Sequence, residues 1–270
     1  MNTSTYRHFF GLTKEPFPNE IDIPNIYQTN DLIGTAQRFE YAVNIGAMAL
    51  VTGDIGAGKS TALKYAAAKL HPSEYRVIHI IASAGSILEF YRMALEKLGV
   101  ETASASRAFL LRNLKRELLE LIHGKNLKPV FIVDEASLMK LEVFAELHVI
   151  ALFDQGEKAK LPVILAGQNN LIDKLKYRSS RPLASRIAAR SHLEGADRKE
   201  MEQYLSHHLK IAGLNQNPFE DNAITAIHQG AGGLFRKANH LARGALIAAA
   251  AQNQTIVNAE HVRLASTEIF

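Results

Sequence analysis

The sequence contains no cysteine among its 270 residues. Disulfide bonds and thiolate metal sites are therefore excluded. The chain does not open with a basic segment followed by an apolar one, so we expect a cytoplasmic location. The longest uninterrupted apolar run, residues 245–251, is far shorter than the roughly 20 residues that a membrane-spanning helix needs. We therefore expect no membrane span.

Charge and histidine content narrow the function only slightly. The net charge of +4 and the pI of about 9.2 fit contact with nucleic acid, but many proteins that never bind it share such values. The 11 histidines are dispersed, and the adjacent pair His207-His208 would project on different sides of a helix. No metal-ligand spacing is present, so we expect no transition metal held by the protein.

A glycine-rich stretch follows the pattern of Gly, four residues and Gly-Lys-Ser/Thr. It comprises Gly53, Asp54, Ile55, Gly56, Ala57, Gly58, Lys59, Ser60 and Thr61. Glycines let backbone N–H groups curl around phosphate oxygens, and the following helix directs its positive dipole end at them. We expect Lys59 to reach the β- and γ-phosphates and Ser60 to ligate Mg²⁺. The stretch predicts a nucleoside triphosphate site; a surface turn that matches by chance is the alternative.

A pair of carboxylates ends a second apolar run. Residues 129–133 read as a buried strand, and Asp134 and Glu135 follow it directly. At the carboxyl edge of a parallel sheet, Asp134 can hold the Mg²⁺ shell and Glu135 can activate a water. The alternative is that both acids only begin a helix. Because the glycine-rich stretch is also present, a role limited to beginning a helix is disfavoured.

Strand and helix patterns alternate over most of the chain, which predicts an α/β fold with a parallel sheet covered on both faces. The predicted strands are 48–53, 76–82, 129–134, 162–167 and 187–193, and the predicted helices between them are 60–70, 86–98, 105–123 and 140–154. Four helices then follow, at 197–213, 218–230, 234–252 and 258–267. We therefore predict an N-terminal segment packed on the core (1–45), an α/β domain (46–196) and a helical domain (197–270).

Two segments of the sequence each have more than one interpretation. Aromatic and proline residues cluster at 6–12, 16–18 and 25–27; they either pack the N-terminus onto the domain or wall an adenine pocket. The segment 107–128 carries six cations against two carboxylates. Such a segment is more often a solvated helix face than a nucleic-acid surface.

Together these motifs resemble the AAA+ ATPases, in which a P-loop sheet domain carries a helical lid. The resemblance implies binding of ATP with Mg²⁺ and hydrolysis to ADP and phosphate. It assigns Gln168, after the apolar run 161–167, to orienting the attacking water. Asparagine is commoner at that position, so Asn169 remains an alternative, and a simple turn is another.

The resemblance also implies two arginines. Within the basic segment 174–190, Arg186 is expected to reach the neighbouring subunit's nucleotide, with Arg190 and then Arg181 as alternatives; a guanidinium there would offset charge on the γ-phosphate. Solvation of a surface helix is the other explanation for most of these cations. Arg236, which ends the run Gly-Gly-Leu-Phe-Arg at 232–236, resembles the lid arginine that reports the nucleotide state.

Three features look like the general secretion pathway protein A group: residues 6–12 followed by Pro16-Phe17, the run Leu-Ala-Gly-Gln at 165–168, and the run Gly-Gly-Leu-Phe-Arg at 232–236. The relatives of that group include transposition helpers, similar to the phage Mu B protein and insertion-sequence helper ATPases. Secretion members add a transmembrane segment and a periplasmic part, which this sequence does not contain, so we expect a transposition helper. By resemblance, such a helper assembles as a ring or filament on double-stranded DNA without strong sequence preference and assists a transposase. A secretion or membrane-assembly switch that acts on protein only is the main rival, and a phosphotransferase is a weaker one.

Overall fold

The computed structural model describes residues 4–152 and 161–267. The chain groups into two compact units. Residues 30–53 and 59–193 form one, which we call the sheet unit. The described residues of 1–29, 54–58 and 194–270 form the other, the helical unit. The predicted N-terminal segment, 1–45, is therefore divided between the units, since its last part lies in the sheet unit and its first part does not.

The sheet unit is built on parallel strands. Within the described residues they are β1 (Met48–Gly53), β2 (Tyr75–Ile81), β3 (Lys128–Asp134), β4 (Val163–Gly167) and β5 (Ile187–Leu193), in the order β2-β3-β4-β1-β5. The central strands β1 and β4 are buried along their whole length, as strands covered on both faces must be. Each predicted strand lies within one residue of an observed strand at both ends, so the α/β prediction is confirmed.

Twelve helices lie in the described residues. In chain order they are α1 (Ser4–Phe10), α2 (Asn30–Asn44), α3 (Lys59–Ala67), α4 (Ile87–Lys97), α5 (Arg107–Leu119), α6 (Leu141–Ala151), α7 (Asn170–Lys176), α8 (Arg181–Ala184), α9 (Arg198–Ile211), α10 (Asp221–Ala231), α11 (Phe235–Ala251) and α12 (Ala259–Thr267). Helix α5 continues into a π-helical turn, Glu120–Gly124. The predicted helix at 140–154 ends at Ala151, and its last two predicted residues lie outside the described residues.

The sheet register brings three strand ends to one edge. Thr52 of β1 is level with Gly167 of β4, and Val133 of β3 is level with Leu165 of β4. Because all strands run the same way, Gly53, Asp134 and Gly167 end together. This edge is where ligands bind in open parallel sheets.

The helical unit has its own core, to which the N-terminal segment contributes. Tyr6, Phe10, Leu12 and Phe17 are buried in one cluster with side chains of α9 to α12. Thr13 N donates to the carbonyl of Ala212, 2.8 Å away. These N-terminal side chains therefore pack on the C-terminal helices. Along the described residues, no helix has the length and apolarity needed to cross a membrane, and no group of three or more potential metal ligands occurs.

Candidate functional site

The first residue of the predicted phosphate loop must be glycine, because the backbone of a neighbouring strand approaches it closely. Gly53 ends β1, and a Cβ added to it would lie 2.5 Å from the carbonyl oxygen of Leu193 in β5. One residue earlier, the hydroxyl of Thr52 lies 3.0 Å from Nδ1 of His192. The end of β5 thereby fixes the point at which the loop leaves the sheet.

The loop itself, residues 54–58, groups with the helical unit. Gly56 and Gly58 have φ values of +90° and +97°, which favour glycine because a Cβ clashes there. The backbone N–H of Arg236 donates to the carbonyl of Gly56 at 3.3 Å. A Cβ added to Gly58 would lie 3.7 Å from the ring of Phe235. Two loop glycines therefore lie against the first turn of α11.

Lys59 begins α3 and is nearly buried, with 5% of its surface exposed. Its ammonium donates a hydrogen bond to the carbonyl oxygen of Gly53, 2.9 Å away. The ammonium is thus held over the start of the loop within the sheet unit. Ser60, the next residue, is exposed, as a hydroxyl that ligates an arriving cation must be.

The acid pair follows β3 in a constrained conformation. Asp134 is 4% exposed, and its Oδ1 accepts a hydrogen bond from the backbone N–H of Glu135 at 2.8 Å. Glu135 itself has a φ of +52°, which is uncommon for a residue with a side chain. Such conformations cost about 1–3 kcal/mol and cluster at functional sites. The two carboxylates therefore differ: one is buried and the other is half-buried at a strained turn.

Gln168 is held beside the acid pair by a residue that the motif analysis missed. Ser137 lies in the 3₁₀ turn that follows Glu135, and its hydroxyl oxygen accepts from the backbone N–H of Gln168 at 3.3 Å. A Cβ added to Gly167 would lie 2.8 Å from the backbone nitrogen of Ser137. Asn169, the alternative, starts the turn of α7, because its carbonyl accepts from the N–H of Ile172.

The candidate trans arginines all lie in the sheet unit with exposed side chains. Arg181 begins α8, Arg186 lies between α8 and β5, and Arg190 lies within β5. Within the described residues, none of them forms an ion pair. Burial lowers the pKa of His148, and the charge of Arg186 lowers it further. An exposed, unpaired guanidinium is what a contribution to a second subunit requires.

Arg236 is the second residue of α11, and its side chain is exposed. The preceding glycines set its position: Gly232 ends α10 with a φ of +60°, and Gly233 follows with +77°. The carbonyl of Gly233 accepts from the N–H of Ala196 at 2.9 Å, and a Cβ on Gly233 would lie 2.6 Å from the carbonyl oxygen of Ala196. The contacts of Gly233 with Ala196 therefore fix where α11 begins.

These residues fit a nucleoside triphosphate with Mg²⁺. Gly56 and Gly58 form a cradle without Cβ atoms, Lys59 supplies a positive charge, and Ser60 with Asp134 supplies the oxygen donors that Mg²⁺ prefers. The grouping of the loop and the acid pair into one site stays a prediction.

Comparison with known proteins agrees with this geometry. Residues 46–175 match the protein family described as AAA domain. The structure resembles the Aeropyrum pernix ORC2 protein in ADPNP-ADP complexes, with a TM-score of 0.72, 16% identity and coverage of 94% of this chain and 71% of that one. It also resembles the A. pernix ORC1 protein in complex with DNA, with a TM-score of 0.66, 16% identity and coverage of 94% and 68%. This is the P-loop AAA+ fold.

A curated protein similar to this chain is the general secretion pathway protein A of Aeromonas hydrophila, 28% identical over 267 residues. The match covers 98% of this chain but 48% of the relative, so the chain spans about half the relative's length. The comparisons therefore agree on the AAA+ fold. The predicted sheet domain followed by a helical lid is confirmed as a fold.

Proposed function

We propose that this chain is an ATP-dependent switch that binds duplex DNA when it holds ATP and then assists a transposase. The observation that carries the proposal is the hydrogen bond from the backbone N–H of Arg236 to the carbonyl of Gly56. It joins the phosphate loop to the first turn of a lid helix within one compact unit. A change in the loop when phosphates bind is therefore felt directly by the helical unit, which is the coupling that a switch needs.

Each residue of the proposed site has one role. Lys59 and the loop amides hold the phosphates, and Ser60 and Asp134 hold Mg²⁺, which when bound offsets the negative charge of the phosphate oxygens. Glu135 accepts a proton from the attacking water. Gln168 orients that water from the end of β4, and Arg236 senses the γ-phosphate. Arg186 serves the nucleotide of a neighbouring copy, so the active form is a homo-oligomer.

Two observations support DNA as the ligand of the switch. The chain has a net charge of +4, and one protein of similar fold is described in complex with DNA. Contacts to phosphates without base readout make affinity fall steeply with salt. The transposase as recipient follows from the sequence resemblance.

A second candidate rests on the name of the curated relative. General secretion pathway protein A is 28% identical over nearly this whole chain, which favours an ATP-driven switch that acts on protein only. Both candidates use the same nucleotide site. They differ in whether DNA is retained.

Co-sedimentation with random duplex DNA separates them. The parent chain, Lys59→Ala and Glu135→Gln are each spun with ATP, ADP or no nucleotide at low and moderate salt. We expect the parent to be retained only with ATP and less so at higher salt. Lys59→Ala should lose both nucleotide binding and retention, because it removes a phosphate contact. Glu135→Gln should stay on DNA, because only the proton-accepting group is lost.

Each other outcome has a definite meaning. ATP binding without retention of any variant would favour the secretion candidate. Unchanged ATP affinity in Lys59→Ala would refute the assignment of the phosphate site itself. Retention that ignores both nucleotide and salt would contradict a phosphate-gripping switch.

A further inference from the structure

One helix of the sheet unit exposes more apolar surface than its packing needs. The inward side of α5 carries Leu110, Leu114 and Leu118, all fully buried in the core of the unit. These side chains already anchor the helix. Its outward side nevertheless carries Phe109 and Leu119, which are 38% and 37% exposed. Phe109 and Leu119 therefore leave apolar surface on this helix that the core of the unit does not cover.

The outward side forms a shallow groove of about 730 Å³. We call it the α5 face. It is lined by Arg107, Ala108, Leu111, Arg112, Lys115, Arg116, Leu119, Glu120 and His123. Leu111 is partly buried and packs against the core of the sheet unit, whereas Leu119 is exposed; they lie eight residues apart, which is about 12 Å at 1.5 Å per residue. Long cationic side chains stand around these leucines as the rim.

The charge of the α5 face is strongly one-sided. Four arginine or lysine side chains line it against the one carboxylate of Glu120. Arg107 pairs with Glu146 and Arg116 with Glu117. Arg112 instead lies over the ring of Phe109, 5.7 Å from its centroid. Lys115 has no ion pair within the described residues. Two cations beside the leucines are therefore left to attract an acidic partner.

The shape and composition limit what can bind there. Among the residues that the structure describes, every lining residue is on a single helix and the turn that continues it, so none of them forms a second wall around a small molecule; small-molecule sites bury most of their ligand. A partner must therefore bring its own apolar surface. Nucleic acid is disfavoured, because leucines occupy the middle of the face and Glu120 would repel phosphates. A helix with an apolar stripe and flanking acids matches both features.

We propose that the α5 face is a docking surface for an acidic amphipathic helix of a partner protein. The site is separate from the nucleotide-binding residues and does not depend on the proposed function. Apolar anchors of the partner helix cover Leu119 and the accessible part of Leu111. Its carboxylates meet Arg112 and Lys115 at the rim.

The test uses a labelled synthetic helix with leucines at i, i+4 and i+7 and glutamates beside them. A control peptide has the same composition with the leucines moved off the stripe, and a labelled random duplex probes nucleic acid. Fluorescence anisotropy should give the striped peptide a Kd of about 10 μM and the control peptide at least tenfold weaker binding. Hydrogen exchange of the complex should slow at residues 107–123.

Matched variants of the full chain localise the contact. Leu119→Ser and Arg112→Glu should each weaken peptide binding about tenfold. Ile45→Ser, at a side chain 43% exposed on the same unit, and Lys125→Glu, at an exposed lysine just beyond the face, should leave it within twofold. Binding of ATP should be the same in all four variants, which shows that they fold.

Several results would overturn the proposal. They are equal affinity for both peptides, no binding of the striped peptide at millimolar concentration, or full affinity in Leu119→Ser. Tighter binding of the duplex, lost in Arg112→Glu, would make the face a nucleic-acid surface instead. A sedimentation coefficient that falls in Leu119→Ser without peptide would assign the face to a second copy of this chain.

Discussion

Gly56 combines two constraints that predict the effect of a single methyl group. Its φ is +90°, and an added Cβ would lie 3.0 Å from the Cβ of Arg236. In Gly56→Ala the loop must shift to relieve both, so its amides leave the positions that hold phosphate. We expect ATP affinity to fall by about tenfold or more, from the loss of about 1–2 kcal/mol of backbone fit. Titration with a fluorescent ATP analogue measures it.

Gly99 is the matched control for this substitution. It has a similar φ of +83°, yet an added Cβ would have nothing within 4 Å. Gly99→Ala should lower the free energy of unfolding by about 1 kcal/mol and leave ATP affinity unchanged. Equal affinity loss in both variants would mean that general destabilisation, and not the loop, is responsible.

His208 makes the stability of the helical unit depend on pH. Its Nδ1–H donates to the carbonyl of Pro16 at 2.9 Å, and its ring stacks on Phe17. Burial lowers the pKa of His208 to about 4, which the hydrogen bond to Pro16 opposes and the charge of His207 assists. Between pH 6.5 and 4 the unfolded chain binds a proton at His208 that the folded chain does not bind. The free energy of unfolding should therefore fall by up to about 3 kcal/mol as the pH drops from 6.5 to 4.

Thermal melting of the parent and of His208→Asn across this pH range isolates the contribution. Carboxylates titrate in both proteins, so their effect cancels in the difference. The asparagine amide can still donate to Pro16 but does not titrate. We expect the difference in stability between the two proteins to shrink as the pH falls from 6.5 to 4. A constant difference would show that His208 does not carry the effect.

At the scale of elements, one buried carboxylate joins three helices of the sheet unit. Glu146 of α6 is 6% exposed; it accepts from the hydroxyl of Tyr91 in α4 and from the guanidinium of Arg107 in α5. Burial, followed by the bond to Glu146, raises the pKa of Tyr91. In Glu146→Leu the hydroxyl of Tyr91 is left buried without a partner. We expect the free energy of unfolding to fall by about 2–3 kcal/mol in urea titrations.

Two further variants test whether the unpaired hydroxyl is the cause. Adding Tyr91→Phe to Glu146→Leu should recover about 1 kcal/mol, because no buried polar group then remains unpaired. Arg107→Ala should cost less than about 1 kcal/mol, since the side chain of Arg107 is 52% exposed. A loss in Arg107→Ala as large as in Glu146→Leu would point to the ion pair instead.

Elements with a strong local pattern could be predicted from the sequence. The strands are short apolar runs between turn residues, and the side chain of Asp197, the first residue of the predicted helix 197–213, caps α9 by accepting from the N–H of Glu200 at 2.7 Å. Helix α2 begins at Asn30 and buries Leu32 in its first turn; Gly34, a poor helix former, weakens the helical pattern there. Helices α1, α7 and α8 were not predicted, because each is too short to repeat a pattern.

The candidate site likewise has features that the local sequence predicts and features that depend on tertiary packing. The loop and the acid pair are contiguous motifs, so adjacent residues in the sequence are enough to predict them. The bond of Gln168 to Ser137 spans 31 residues, and that of Arg236 to Gly56 spans the length of the sheet unit; neither follows from spacing. The assignment of residues 4–29 to the helical unit likewise depends on tertiary packing. Which of Arg181, Arg186 and Arg190 acts in trans stays a prediction.

At the scale of the whole molecule, the proposed trans arginine makes activity a property of the assembly. Arg186→Ala keeps Lys59, and Lys59→Ala keeps Arg186, so each variant alone should hydrolyse ATP at the background rate. In an equal mixture, about a quarter of neighbouring pairs combine an intact loop with an intact arginine, and the rate should recover to about that fraction of the parent. Steady-state phosphate release measures it.

Arg181→Ala and Arg190→Ala, mixed with Lys59→Ala, rank the alternatives: only the variant of the true trans arginine should be inactive alone and rescued in the mixture. A mixture that merely sums its components, together with a parent rate per chain that is unchanged on dilution, would mean that each copy completes its own site.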